Sequence, residues 1–208
     1  TTRNGARWLI YSQAPQTNSF GGLVSGNQAA YGFDIEGIPP ASVTLTGNRY
    51  LFATTPTVTV RGVDASKVYG DTLDARSNLA FTVSGLFDAA LFGNVFTQDV
   101  LTGLPVFSSP GGGGMRAPVG TYTTTIGLGT LMGALGYRFS FVNGVLRVTP
   151  KPLTVTLIGA VTKTYDRTTA ATLAATNYSV SGIVSGDNVA LNNPVVGIYN
   201  NRNVGTAK

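Results

Sequence analysis

Cysteine and histidine are both absent from the 208 residues of this chain. Without cysteine, the chain has no disulfides, no thiolate metal ligands and no cysteine nucleophile. Without histidine, it has no Ser-His-Asp triad, no histidine-bearing zinc site and no histidine general base. Glutamate occurs only at Glu36, and no spacing of aspartates or lysines is typical of a catalytic pair. We therefore predict that the chain is not an enzyme and binds no cofactor.

Charged residues are scarce as well, at 11% of the chain, against about 25% in an ordinary globular protein. Thr, Ser, Asn and Gly supply the polar surface instead. Thr and aromatic residues favour pleated strands, whereas Gly and Asn favour tight turns. The hydrophobic content of 43% excludes wholesale disorder. The composition therefore predicts a folded, β-rich chain.

The net charge of +5 comes mainly from ten arginines that are spread singly along the chain. No two basic residues are adjacent, so the chain lacks the basic runs that attract phosphate backbones. We interpret the arginines as solvated side chains and predict no nucleic-acid partner. No apolar run approaches the roughly 18 residues of a membrane-spanning helix, so we predict that the chain is not embedded in a membrane. No signal peptide opens it, and we expect it to be a segment of a longer protein.

Two stretches about ninety-six residues apart are nearly the same. Lys67 and Tyr69 in the first correspond to Lys163 and Tyr165 in the second, and a Ser-Gly pair follows each of them. Solenoid repeats are roughly 20 to 50 residues long. The period here is instead the length of a small domain, which predicts tandem modules.

The repeat divides the chain into three predicted parts. Residues 1–56 form a β-rich connector with little core of its own, residues 57–150 a complete β module, and residues 151–208 a β module that breaks off before its closing strands. Pro150 and Pro152 make the linker between the modules short and stiff. The predicted fold class is all-β, with small tandem modules of the β-sandwich or β-grasp type. The alternative is α+β with one short helix in each module.

Alternation of polar and apolar residues with a period of two predicts individual strands. The clearest are residues 57–62, 79–85 and 121–126. Residues 87–92 are consistent with a single helical turn or a loop.

The Asn143-Gly144 pair lies between two further alternating segments. In the first of these segments Tyr137, Phe139 and Phe141 fall on one face. Asn-Gly supplies the two positive-φ positions of a type I′ turn. We therefore predict a two-residue hairpin here.

The motifs of the first module are those of a known family. Lys67, Tyr69, Gly70 and Asp71, together with the later Gly136-Tyr137 pair, resemble an MBG module of the YGX type.

The motifs of the second module differ. Lys163, Tyr165 and Asp166, followed by Ser-Gly at 181–182 and Asn-Val-Gly-Thr at 203–206, resemble a YDG module. The sequence departs from that pattern at Arg167, where the family has glycine, so the φ angle of this turn is open.

The N-terminal part, with Trp8, Tyr11 and residues 17–23 and 48–52, is similar to the segment that follows the β-helical stem in filamentous-haemagglutinin-like adhesins. Together the resemblances imply a large exoprotein of a Gram-negative bacterium. Such a protein is exported by two-partner secretion through an outer-membrane transporter, which would be its partner, and is displayed at the cell surface.

The resemblance implies a structural function, in which this segment holds an adhesive region away from the cell and contacts the neighbouring modules of the same chain. The alternative is a module that binds host or biofilm carbohydrate in adhesion or biofilm formation. In both cases the Lys-x-Tyr motifs are expected to be turn and scaffold residues, with each tyrosine filling the core.

A glycine-rich tract in the first module is our candidate ligand loop. It belongs to an insertion of about eleven residues relative to the second module, and binding functions are often carried by such loops. We expect a flexible surface loop, and not a phosphate-binding P-loop, because Met115 follows the glycines where lysine would be needed. The candidate residues are Phe107, Gly111, Gly112, Gly113, Gly114 and Arg116.

Two further patterns carry little weight. The aspartates Asp71, Asp74, Asp166 and Asp187 lack the dense spacing of a calcium loop, so we interpret them as turn residues and predict no metal. Asn177 begins one N-glycosylation acceptor pattern.

Overall fold

The computed structural model describes residues 6–73, 79–133 and 135–206. In these residues the chain forms fourteen β-strands and four short 3₁₀ helices, which confirms the predicted all-β class. The chain divides into two compact units, unit 1 at Thr1–Thr149 and unit 2 at Pro150–Lys208. None of the described helices has the length and apolar character needed to cross a membrane.

Unit 1 begins with a small sheet in which all three strands are parallel. The strands are β1 (Leu9–Ser12), β2 (Ala30–Tyr31) and β3 (Arg49–Phe52). β3 lies in the middle and pairs with β1 on one side and β2 on the other.

Both faces of this first sheet are covered, as is usual for parallel strands. On one face Tyr31, Tyr50 and Phe52 pack with Val95 and Phe96. On the other face Ala30 and Leu51 pack with Val43. The prediction that residues 1–56 have little core of their own is wrong for their described part, because Ala30, Val43 and Leu51 are buried together within it. Sequence periodicity cannot detect a core that a segment shares with residues forty positions later.

The other described strands of unit 1 form two further sheets. Their strands are β4 (Thr57–Gly62), β5 (Ala65–Val68), β6 (Phe81–Ser84), β7 (Val106–Ser108), β8 (Gly120–Gly127), β9 (Arg138–Val142) and β10 (Gly144–Thr149). One sheet has the order β6-β4-β9 and the other has the order β5-β10-β8-β7. The predicted strands at 57–62, 79–85 and 121–126 correspond to β4, β6 and β8. Of the two possibilities given for residues 87–92, a helical turn or a loop, Ala89–Phe92 forms the helical turn, as a 3₁₀ helix.

The two sheets share one apolar core. Val58 and Val60 of β4 are fully buried and pack with Ile126 of β8. Phe139 and Phe141 of β9 stack on each other and cover the same cluster, as their alternation predicted. Burial of each such side chain contributes about 1.5–3 kcal/mol, so the core depends on strands from both ends of the module.

Two long extended runs hold the sheets together. The first run, residues 57–68, contains β4 and β5, and the second run, residues 138–149, contains β9 and β10. The runs are parallel, and every paired residue lies 81 positions from its partner, from Thr57 with Arg138 to Val68 with Thr149. Each run therefore crosses from one sheet into the other while keeping a single register.

The predicted hairpin at Asn143-Gly144 is wrong. β9 and β10 do not pair with each other, and neither residue has a positive φ. Asn143 is the single residue between the two strands, and its side chain accepts a hydrogen bond from the Ile126 backbone N–H at 3.2 Å. The chain continues straight on because β4 and β5 offer each strand a partner that the local sequence does not reveal.

Glycine is required at Gly144 for a different reason. A Cβ atom there would lie 2.9 Å from the carbonyl oxygen of Gly62 and 3.0 Å from that of Val63. The two runs approach each other this closely at the point where both change sheets.

Unit 2 is smaller, and its residues up to 206, which the structure describes, form four short strands. They are β11 (Thr154–Leu157), β12 (Ala170–Thr172), β13 (Tyr178–Ser181) and β14 (Val196–Ile198). β11 pairs with β13 and β12 pairs with β14, both antiparallel.

We expect Gly144→Ala to lower the free energy of unfolding of unit 1 by about 1–3 kcal/mol, because the new methyl group forces the two runs apart. Urea unfolding followed by the fluorescence of Trp8 measures this, since Trp8 is the only tryptophan and packs on Tyr50 in unit 1. Gly113→Ala is the control, because a Cβ at Gly113 meets nothing within 4 Å. Equal transitions for the two variants would contradict the close approach.

Candidate functional site

Lys67 is the buried polar centre of the predicted Lys-x-Tyr turn. Its ammonium group donates hydrogen bonds to the carbonyl oxygens of Gly114 at 2.6 Å, Gly112 at 2.9 Å and Asp71 at 3.2 Å. These three bonds use all three donors of a lysine. Burial lowers the pKa of Lys67, while the charge of Asp71 opposes that shift. The lysine therefore joins its own turn to the glycine-rich loop.

The glycine-rich loop is tied down along its length. The backbone N–H of Gly70 donates to the carbonyl of Met115 at 2.8 Å, and that of Leu73 donates to the carbonyl of Gly112 at 3.2 Å. Gly111 and Gly112 are buried. The predicted surface loop is therefore at the surface from Gly113 to Arg116, and Lys67 and the turn anchor it by supplying partners for its carbonyl groups.

The residues of the candidate ligand loop do not form one surface. Gly111 lies against Tyr122, where a Cβ would come within 2.5 Å of the ring. Phe107 is half-buried and packs in the core near Phe81. Gly113, Gly114 and Arg116 are exposed. Phe107 is therefore packed against the core, whereas Arg116 is at the surface.

The corresponding turn in unit 2 is built differently. Lys163 donates to the Asp166 carboxylate at 2.7 Å, and to the hydroxyl and carbonyl oxygens of Thr168 at 2.8 Å and 3.0 Å. It also lies 5.7 Å from the centre of the Tyr199 ring. The hydrogen bond from Lys163, with two more from Thr168, lowers the pKa of Asp166 to about 2.

The residue that departs from the family pattern keeps the conformation of glycine. Arg167 has a φ of 63°, in the left-handed region that favours glycine. Tyr165 beside it is 56% exposed, so the prediction that it fills the core is wrong, whereas Tyr69 in unit 1 is half-buried.

The most deeply buried acid among the described residues was not predicted from the sequence. Asp99 is only 2% exposed, and its Oδ2 atom accepts hydrogen bonds from the hydroxyl groups of Tyr31 and Tyr137, both at 2.7 Å. The Tyr137 hydroxyl in turn accepts a hydrogen bond from the Phe87 backbone N–H at 3.0 Å. Burial raises the pKa of Asp99, although both tyrosine hydrogen bonds oppose the shift.

One sequence signal pointed toward this centre. Gly136 has a φ of 95°, and a Cβ there would lie 2.0 Å from the carbonyl oxygen of Tyr31. The Gly-Tyr pair at 136–137 thus brings the chain against the first sheet and places Tyr137 next to Asp99.

Two predictions remain, the N-glycosylation acceptor pattern at Asn177 and the interpretation of four aspartates as turn residues. Asn177 is half-buried, its side-chain oxygen accepts from the Ala174 N–H and its amide donates to the Ile158 carbonyl. No three aspartates or glutamates are grouped to hold a metal ion among the residues that the structure describes. Asp74, one of the four aspartates considered, lies outside those residues.

Comparison with protein families identifies one domain in the chain. The YDG domain family matches residues 149–208, so unit 2 is a YDG domain. No curated protein and no solved structure matches the chain.

Replacing Lys67 tests its role at the centre of the loop. We expect Lys67→Met, which keeps the length but leaves three carbonyl oxygens without their donor, to cost about 2–4 kcal/mol of unit 1 stability. Urea unfolding monitored at Trp8 measures the loss. Lys163→Met, which removes the equivalent lysine from unit 2, should leave that transition unchanged. An effect of Lys67→Met below about 0.5 kcal/mol would contradict the role of the ammonium group.

The stability of unit 1 should depend on pH through Asp99. Because its pKa is raised above the ordinary value of 3.8, the folded state binds the proton more tightly than the unfolded chain. The free energy of unfolding then rises as the pH falls through the folded pKa and levels off below about 3.8. Asp99→Asn should remove this rise. Urea unfolding of both proteins between neutral pH and about pH 4 checks it, and parallel pH profiles would contradict it.

Proposed function

We propose that this chain is a structural, presenting segment of a large secreted bacterial surface adhesin, and that it holds the adhesive region away from the cell. The match of residues 149–208 to the YDG domain family supports the part of the proposal that concerns unit 2. The resemblance of residues 57–150 to an MBG module, and of the N-terminal part to adhesin segments, extends the proposal to the whole chain. We further propose that the parent protein is exported by an outer-membrane two-partner transporter of a Gram-negative bacterium.

The observation that carries the proposal is the register between residues 57–68 and 138–149. The first run enters the module and the second run leaves it, and they pair in parallel at residues 57–61 with 138–142 and at residues 65–68 with 146–149. A tension applied along the chain pulls the start of one run against the end of the other. The inter-strand hydrogen bonds lie across that direction and are loaded together, so the geometry resists extension. Such resistance suits a segment that separates an adhesive tip from a cell under flow.

The use of the motif residues supports the same function. Lys67 donates its three hydrogen bonds to carbonyl groups of its own turn and of the glycine-rich loop. Lys163 donates its hydrogen bonds to Asp166 and Thr168. The charged groups that recur between the modules therefore stabilise turns.

Single-molecule force spectroscopy tests this role with two pairs of attachment points. The chain contains no cysteine, so introduced cysteines are unique. Thr57→Cys with Lys151→Cys pulls the two runs past each other. Thr57→Cys with Arg138→Cys pulls them apart from one end, where the pairs open one after another. We expect a clearly higher unfolding force in the first geometry. Equal forces in the two geometries would remove the support for a force-resisting segment.

A glycan array probed with the full chain distinguishes the presenting function from the alternative, a carbohydrate-binding module. A presenting segment binds no glycan. Saturable binding that is lost in Arg116→Ala would instead favour a carbohydrate-binding module, because Arg116 is the exposed cation beside the glycine-rich loop.

A further inference from the structure

The Asn143-Gly144 pair, which forms no turn, has a second chemical property. Asparagine is a labile residue, and it loses its side-chain amide fastest before glycine, which leaves the next backbone nitrogen unhindered. That nitrogen gives its proton to hydroxide and bonds to Cγ of the asparagine. The bond from Cγ to Nδ2 breaks, and the leaving nitrogen takes a proton from water and departs as ammonia. One water molecule then opens the succinimide ring, to aspartate or isoaspartate.

The fold restrains both reacting groups of this pair, although Asn143 is exposed to water. The side-chain oxygen of Asn143 accepts a hydrogen bond from the Ile126 backbone N–H at 3.2 Å. Gly144 is paired with β8, and the next N–H along the chain, that of Val145, donates to Asp64 at 2.9 Å. Because successive N–H groups of a strand point to opposite edges, the Gly144 N–H points to β8 and is engaged in that ladder.

The register adds a conformational barrier to ring closure. The residues on both sides of Asn143 keep the same offset from their partners, from Arg61 with Val142 to Ala65 with Leu146. The chain between them is therefore extended, with no residue added or missing. In extended backbone the nitrogen of the next residue is turned away from the side chain. The ring can close only if the ψ angle of Asn143 rotates, and that rotation breaks the pairing of β9 or of β10.

We propose that Asn143 is a deamidation site that the folded register protects and that unfolding of unit 1 opens. Exposure to water does not limit the reaction in the folded chain, because the side chain is already exposed. The backbone conformation and the two hydrogen-bonded groups limit it. This chemistry goes beyond the presenting function and does not depend on it.

The two products differ in what they leave of the fold. Aspartate keeps the backbone and still offers an oxygen to the Ile126 N–H. Isoaspartate adds one carbon to the backbone between residues 143 and 144, at a point where even a Cβ on Gly144 would lie 2.9 Å from the Gly62 carbonyl oxygen. The isoaspartate chain therefore cannot keep β9 and β10 in register together. Unfolding followed by this modification is irreversible.

Trypsin provides the readout, because it cuts after Arg138 and Arg147 and releases residues 139–147, in which Asn143 is the single asparagine. The full 208-residue chain is kept at a mildly alkaline pH, with and without urea that unfolds unit 1, and the mass of this peptide is followed over time. A synthetic peptide of the same sequence gives the intrinsic rate in both solutions. We expect the unfolded chain to react as the peptide does, and the folded chain at least about tenfold more slowly.

Two valine variants test whether unfolding opens the site. Val60→Ala removes a fully buried side chain of β4 and should speed deamidation in the absence of urea by at least about tenfold, since it raises the unfolded population. Val155→Ala is the matched control, because Val155 is 47% exposed in unit 2, and it should leave the rate unchanged.

The products are compared after the reacted chain is returned to buffer without urea. Size-exclusion chromatography separates compact chains from expanded or aggregated ones, and reversed-phase chromatography of the 139–147 peptide separates aspartate from isoaspartate. We expect the aspartate form in the compact fraction and the isoaspartate form to be lost from it. Asn143→Asp should refold as the parent chain does.

The inference fails if the folded and unfolded chains react at the same rate relative to the synthetic peptide, or if Val60→Ala reacts no faster than the parent chain. Isoaspartate and aspartate in equal proportion in the compact fraction would overturn the part that concerns the register.

Discussion

The parallel register between residues 57–68 and 138–149 is the constraint on which unit 1 depends. The partners lie 81 positions apart, so the register forms only when the whole intervening chain has been brought back. Contacts of such long sequence separation make folding slow. Once formed, the register joins both sheets, because each run contributes one strand to each of them. β8 and the glycine-rich loop, which lie between the runs in the sequence, are then placed relative to them.

Buried polar groups fix the glycine-rich loop and the first sheet, which are not paired with either run. Lys67 donates hydrogen bonds to three carbonyl oxygens and thereby fixes a loop that has few side chains of its own. Asp99 accepts hydrogen bonds from the hydroxyl groups of Tyr31 and Tyr137, and so connects the first sheet to the residue that precedes β9. An unpaired polar group in such a place would cost about 1–3 kcal/mol. These centres therefore specify one arrangement of the segments, and close backbone approaches at Gly136 and Gly144 allow it.

Much of the local structure was predictable from the residues in it. Alternating Thr and Val in β4, and alternating aromatic residues in β9, show which side chains are buried, since a strand exposes its two faces in turn. The predicted Ser-Gly correspondence was also confirmed, with Gly85 and Gly182 in the same left-handed conformation. The hairpin at Asn143-Gly144 was wrong for a physical reason: the turn preference of this dipeptide is small compared with the burial that β9 and β10 gain by pairing with distant strands.

The sequence by itself determined the all-β class, the strand faces, the repeat of the Lys-x-Tyr turns and the absence of cysteine and histidine chemistry. These properties depend on residue type and on spacings of a few residues. Only the tertiary structure decided that β9 and β10 belong to different sheets, that residues 6–56 share a core with Val95 and Phe96, and that Asp99 is buried between two tyrosines. Each of these depends on which distant segments meet, and that choice is made by the total burial and hydrogen bonding of the folded chain.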